Sequence, residues 1–103
     1  MEKLVRDKIP ALIREKGGEP NIRVLDEKEY RVRLEEKLQE EVGEYLQDKN
    51  AEELADILEV VLALADSIGC TREMLQETYR KKHNERGGFK KRILLISNEA
   101  HPF

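Results

Sequence analysis

A chain of 103 residues that is 40% charged and only 5% aromatic, with no Trp, has room for one domain with a thin core of Leu, Ile, Val and Ala. It carries no apolar run of membrane-spanning length and no signal-peptide pattern, and its single Cys70 excludes an intrachain disulfide framework and fits a reducing compartment. These features predict a cytoplasmic protein, and a net charge of −3 argues against a general nucleic-acid binder.

In chain order, Asp7 can cap a short helix with Pro10 in its first turn. Leu12 and Ile13 give that helix an apolar side, and Gly17 and Gly18 stop it. Residues 22–25 are β-prone. Asp26 and Glu29 have the spacing of a capping box for a long helix running to about Gln47. Its apolar stripe reads Tyr30, Leu34, Leu38, Val42 and Tyr45, with Glu41 and Glu44 at the stripe's edge and Glu40 further round. Gly43 weakens the helix locally and leaves room for another backbone to approach.

Asn50 caps the next helix, from Ala51 to about Ile68. Leu54, Ile57, Leu58, Val60, Val61, Leu62, Leu64, Ala65 and Ile68 cover well over half of its circumference, and such a helix must be buried on more than one side. A small monomer has too few layers for that, so the pattern predicts a homodimer in which two helices pair with their copies as a bundle. The competing arrangement is a monomeric bundle whose last helix covers the remaining face. Gly69 ends this helix, and Thr71 starts a last one that runs to about Glu85 and stops at Gly87 and Gly88. Residues 92–96 are again β-prone and could pair with 22–25 as a minimal sheet, while the tail from Asn98 to Phe103 reads as loose. The fold class is therefore all-α: one domain over 1–103, an antiparallel bundle completed by dimerisation, with room for two very short strands.

The chemistry lies in the acids. Glu40, Glu41 and Glu44 form an E-E-x-x-E on the long helix, and Glu53 and Asp56 form an E-x-x-D on the next. Residues three apart share a helix face, so antiparallel packing would bring about four negative charges into one cleft. Like charges that close raise each other's pKa, and grouped hard oxygen ligands suit Mg²⁺ or Mn²⁺. A blander account also stands: in so charged a chain Glu53 is equally a capping-box residue behind Asn50, and Glu40 a solvated acid. Charge is unevenly spread. Residues 26–66 hold fourteen acids against five bases, and residues 71–103 hold eight bases against four acids. Carboxylates for a metal, flanked by cations for phosphate oxygens, are what a metal–phosphate enzyme requires. No Ser-His-Asp or Cys-His set is evident, so covalent catalysis is disfavoured; His83 has no companion at ligand spacing, and Cys70 beside Gly69 reads as a small buried filler.

Lys37, Leu38, Glu40, Glu41 and Glu44, followed by Glu53, Leu54, Ala55, Asp56, Ile57 and Leu58, resemble the signature of the all-α nucleoside triphosphate pyrophosphohydrolases, the MazG-like and phosphoribosyl-ATP pyrophosphohydrolase-like superfamily. The opening run from Lys3 to Pro10 and the late run from Lys82 to Lys90 resemble one small branch of it. One departure is the spacer: only eight residues, Tyr45 to Glu52, separate the two acid pairs, shorter than the superfamily pattern. The resemblance implies hydrolysis of a nucleoside triphosphate to the monophosphate and pyrophosphate, with Mg²⁺ (or Mn²⁺) as cofactor. It implies Glu41, Glu44, Glu53 and Asp56 as metal ligands, and Glu40 as a residue that either supports those ligands from behind or orients the attacking water as a base. Arg6, Lys8, Lys82, Arg86 and Lys90 are the expected phosphate contacts, and each is also readable as a surface cation. Two alternatives remain: the phosphoribosyl-ATP pyrophosphohydrolase of histidine biosynthesis, and a non-catalytic dimeric helical binding module.

Overall fold

A computed structural model describes residues 2–98; the rest of the tail expected to be loose, residues 99–103, lies outside them. The described residues form four helices and no strand: α1 (Ile9–Glu15), α2 (Glu27–Asp48), α3 (Ala51–Ser67) and α4 (Arg72–Arg86). The chain divides into two compact units, Met1–Arg72 and Glu73–Phe103. No helix among the described residues is long and apolar enough to cross a membrane.

The first unit is built on a hairpin of α2 and α3. The reversal takes two residues. Lys49 adopts a left-handed conformation (φ 49°) and its N–H donates to the Tyr45 carbonyl, closing α2. Asn50 is extended, and its side chain accepts the Glu53 N–H at 3.0 Å, opening α3. So short a connection forces the two helices to run antiparallel. At the far end of the hairpin the Arg31 guanidinium donates to the Ser67 carbonyl at 2.6 Å, a cation at the negative end of the α3 dipole. Gly69 (φ 78°) then turns the chain, and the Cys70 N–H returns to the Ala65 carbonyl at 2.8 Å. Cys70 is half-buried rather than buried.

Half of the expected capping box of α2 forms. The Asp26 carboxylate accepts the Glu29 N–H at 2.8 Å, but the Glu29 carboxylate turns to Arg23, which holds it through two bonds of 2.9 Å. That bidentate pair lowers the Glu29 pKa through its hydrogen bonds and ties the segment before α2 to its first turn. Asp7 does not cap α1: Lys8 occupies the cap position and no side chain bonds there. Pro10 sits in the first turn and has no N–H to satisfy, so the cap has less to do. The β-prone stretches 22–25 and 92–96 form no strands. A two-stranded sheet is marginal by itself, and Arg92, at φ 56°, interrupts the second stretch at its start.

Buried apolar side chains are few among the described residues: Leu34, Val60 and Ala65. The stripe of α2 departs from its expected line. Val42 is 39% exposed, whereas Glu41 is 6% exposed. At about 100° per residue, Glu41 lies only about 20° round the helix from Leu34, while Val42 lies about 80° away. The buried line therefore runs Leu34, Leu38, Glu41, Tyr45, and a carboxylate occupies a core position. Nothing lies within 4 Å of a side-chain carbon built on Gly43, so no backbone among the described residues uses the space it leaves.

In the second unit, α4 keeps its side chains exposed apart from half-buried Leu75. Local contacts support it: Thr78 Oγ1 to the Met74 carbonyl at 3.0 Å, the Glu77–Arg80 ion pair, and the rings of Tyr79 and His83 with centroids 5.9 Å apart. Gly87, at φ 79°, ends the helix with its N–H on the His83 carbonyl.

Candidate metal centre

Because α2 and α3 are antiparallel, Glu41 and Glu44 on one meet Glu53 and Asp56 on the other. Each of the four offers an oxygen, and these oxygens all lie within 4.8 Å of one another. Glu53 serves both readings open at the level of sequence. Its N–H is capped by Asn50, while its carboxylate joins the group of four.

The electrostatics are those of crowded, partly dehydrated acids. Burial pushes the Glu41 carboxyl above its ordinary pKa, with a hydrogen bond to Glu44 adding to the rise and Lys37 opposing it. Burial also raises Glu53, helped by the charges of Asp56, Asp48 and Glu41 and opposed by a hydrogen bond with Glu44. Glu41 Oε2 and Glu53 Oε2 are both buried without a hydrogen-bond partner. Buried acceptors are normally satisfied, and a cation bound among the four carboxylates would satisfy both of these oxygens. The donor set is entirely carboxylate oxygen, which fits a hard divalent ion.

Glu40 stands outside this group. Lys3 and Lys37 each approach it at 2.8 Å, and their hydrogen bonds lower its pKa. Lys37 also lies 3.4 Å from Glu41. Burial works against the Lys37 charge, but its carboxylate partners outweigh that and raise its pKa. Arg6 binds the cluster directly, with Nη2 at 2.7 Å from Asp56 Oδ1 and Nη1 at 3.9 Å from Glu59. Lys8 is exposed at the start of α1, and Lys82, Arg86 and Lys90 are exposed on and just after α4 in the second unit.

Comparison with known proteins adds little to this geometry. No family model matches the chain, and no solved structure matches it. A protein of Mycolicibacterium smegmatis described only as uncharacterized is 54% identical over 44 residues, which is 43% of this chain and 45% of that protein. The match thus spans less than half the length of that relative.

Sequence reasoning singled out the four acids but gave no role to Lys3, Lys37 or Glu59. Lys37 was legible, since it precedes Glu40 by three residues and Glu41 by four, the spacing of helical ion pairs. Glu59 was legible in the same way, three residues after Asp56 on α3, whereas Lys3 reaches the site region through tertiary packing and carries no local signal.

Proposed function

We propose that this chain is a metal-dependent nucleotide pyrophosphohydrolase that cleaves a nucleoside triphosphate to the monophosphate and pyrophosphate, with a house-cleaning role toward non-standard nucleotides. The observation that carries the reading is the convergence of Glu41, Glu44, Glu53 and Asp56 with two buried, unpartnered oxygens among them. The resemblance of these residues to the pyrophosphohydrolase signature supplies the reaction. The four carboxylates would hold Mg²⁺ or Mn²⁺, which when bound neutralises phosphate charge and acidifies water.

The chain's own residues divide the remaining work. Glu40, kept ionised by Lys3 and Lys37, is an acceptor for a water proton. Its lowered pKa makes it a weak base, so it orients the nucleophile more than it removes the proton. Phosphoryl transfer depends chiefly on positioning and charge stabilisation. In the unit that carries the carboxylates, Arg6 and Lys8 are the cations that would contact the triphosphate.

Incubation of the protein with a nucleotide panel and Mg²⁺ in ¹⁸O-water should give monophosphate and pyrophosphate, with label in the monophosphate. Glu40→Gln should lower turnover by about 10²-fold while leaving metal affinity near that of the parent. Label found only in pyrophosphate would move the attack to the β-phosphorus, and no turnover of any nucleotide would favour a binding module.

The assembly that goes with this reading is a homodimer. Leu54 and Leu58 are 50% and 55% exposed, and Leu58 lies about 160° round α3 from buried Val60. A second copy covering that side would remove this apolar surface from water. Light scattering should give at least twice 12.0 kDa, and Leu58→Glu should reduce the mass to a monomer by placing an unpaired charge in the interface. A parent protein that is monomeric at micromolar concentration would remove this part of the proposal.

A further inference from the structure

Residues 2–8 precede α1 without regular secondary structure and lie as a strap held largely by charge. Glu2 pairs with Arg33 at 2.9 Å, Lys3 with Glu40 at 2.8 Å, and Arg6 with Asp56 at 2.7 Å. Leu4 is the one half-buried side chain among these residues. The strap also walls one side of a groove of about 1080 Å³, whose other lining includes Ile22, Leu25 and Tyr30. It is therefore loosely packed along that side.

Building on the reading of the carboxylate cluster as a metal centre, we infer that Arg6 is the cluster's resident counter-ion, that a divalent cation and Arg6 compete for Asp56, and that metal binding releases the strap. Arg6 cannot leave Asp56 by losing its charge, because a guanidinium stays protonated in proteins; it must move. A cation bound by Asp56 draws electron density from both carboxylate oxygens and places a second positive charge beside the guanidinium. Both effects weaken the Arg6 contact. The contact is also cheap to break: Arg6 and Asp56 side chains are 51% and 40% exposed, and an exposed ion pair is worth a factor of at most about five in an equilibrium constant. Lys37 need not move in the same way, since Glu40 remains as its second partner. A freed Arg6 carries five N–H donors in a planar fork suited to phosphate. The strap would thus expose its phosphate-binding group only when the metal is in place.

The test is Mn²⁺ titration by calorimetry on the full chain, together with hydrogen exchange of the Ile9 amide, which donates to the Arg6 carbonyl at 3.1 Å and so reports the strap. Arg6→Gln should bind Mn²⁺ about two- to fivefold more tightly than the parent, and Arg6→Lys should fall between them. In the parent, Mn²⁺ should speed this exchange; in Arg6→Gln it should be fast already and insensitive to metal. With Asp56→Asn already in place, adding Arg6→Gln should no longer change Mn²⁺ affinity, as expected of coupled residues in a double-mutant cycle. Equal or weaker Mn²⁺ binding by Arg6→Gln, with Ile9 exchange unmoved in the parent, overturns the competition and leaves the metal centre standing. Absence of Mn²⁺ binding in both proteins overturns the centre and the inference together.

Discussion

Glu41→Gln should make the metal-free protein more stable at neutral pH than its parent and abolish its stabilisation by millimolar Mg²⁺ or Mn²⁺. Glu41 is 6% exposed with Oε2 unpartnered, and a buried unsatisfied polar group costs about 1–3 kcal/mol. The pH dependence follows from the direction of the shift. Burial raises the Glu41 pKa in the folded state, and Glu53 moves the same way. Between the ordinary carboxylate pKa and these raised values the folded state binds more protons than the unfolded one, so stability falls as pH rises through that window. At lower pH both states are protonated and the penalty vanishes. Glutamine removes one of the two groups and should flatten the fall. Loss of the charge facing Lys37 offsets little of the gain, because Lys37 keeps Glu40 at 2.8 Å.

Metal should reverse the penalty in the parent. A ligand at a hundred times its dissociation constant adds about 2.7 kcal/mol, and each kcal/mol moves the melting temperature of a domain this small by about 4–8 °C. Melts followed by circular dichroism from pH 5 to 8, with and without Mg²⁺, measure both effects. A glutamine variant that is less stable than the parent without metal, or that keeps the full metal response, would remove Glu41 from the centre.

Leu34→Ala should cost about 2–5 kcal/mol, measured by urea or thermal unfolding. Leu34 is the most buried apolar side chain described, at 3% exposed, and it shares its helical line with Glu41. A domain of this size has about 5–15 kcal/mol in total, so the variant stands near the limit of folding. Val42→Ala is the control. Val42 has the apolar character of the stripe but is 39% exposed, and its truncation should cost under about 1 kcal/mol. A similar loss at both positions would mean that Val42 is buried against a second copy and would argue for the dimer.

The position of Val42 also marks where the sequence misleads. Assigning the stripe by apolar identity selects Val42, whereas the angular position about the helix selects Glu41. A carboxylate in line with core leucines is unfavourable for a stable core, and this conflict between polarity and position is itself a pointer to a site. The opposite error occurs at residues 22–25 and 92–96. Their β propensity is evident, but a strand needs a partner edge, and propensity carries no information about one.

What the sequence determined alone are features that depend on neighbours within a turn or two. Asp26 and Asn50 cap α2 and α3, Gly69 and Gly87 end α3 and α4, and the one-turn spacing pairs Glu41 with Glu44 and Glu53 with Asp56. These follow from backbone groups left open at helix ends and from the helical repeat, both local. The tertiary structure decided the register of α2 against α3, which brings four oxygens within 4.8 Å and buries Glu41. It also decided that Arg6 reaches Asp56 across fifty positions of sequence. Contacts of that range depend on how a hairpin and a strap close on each other, and no local pattern encodes the partner.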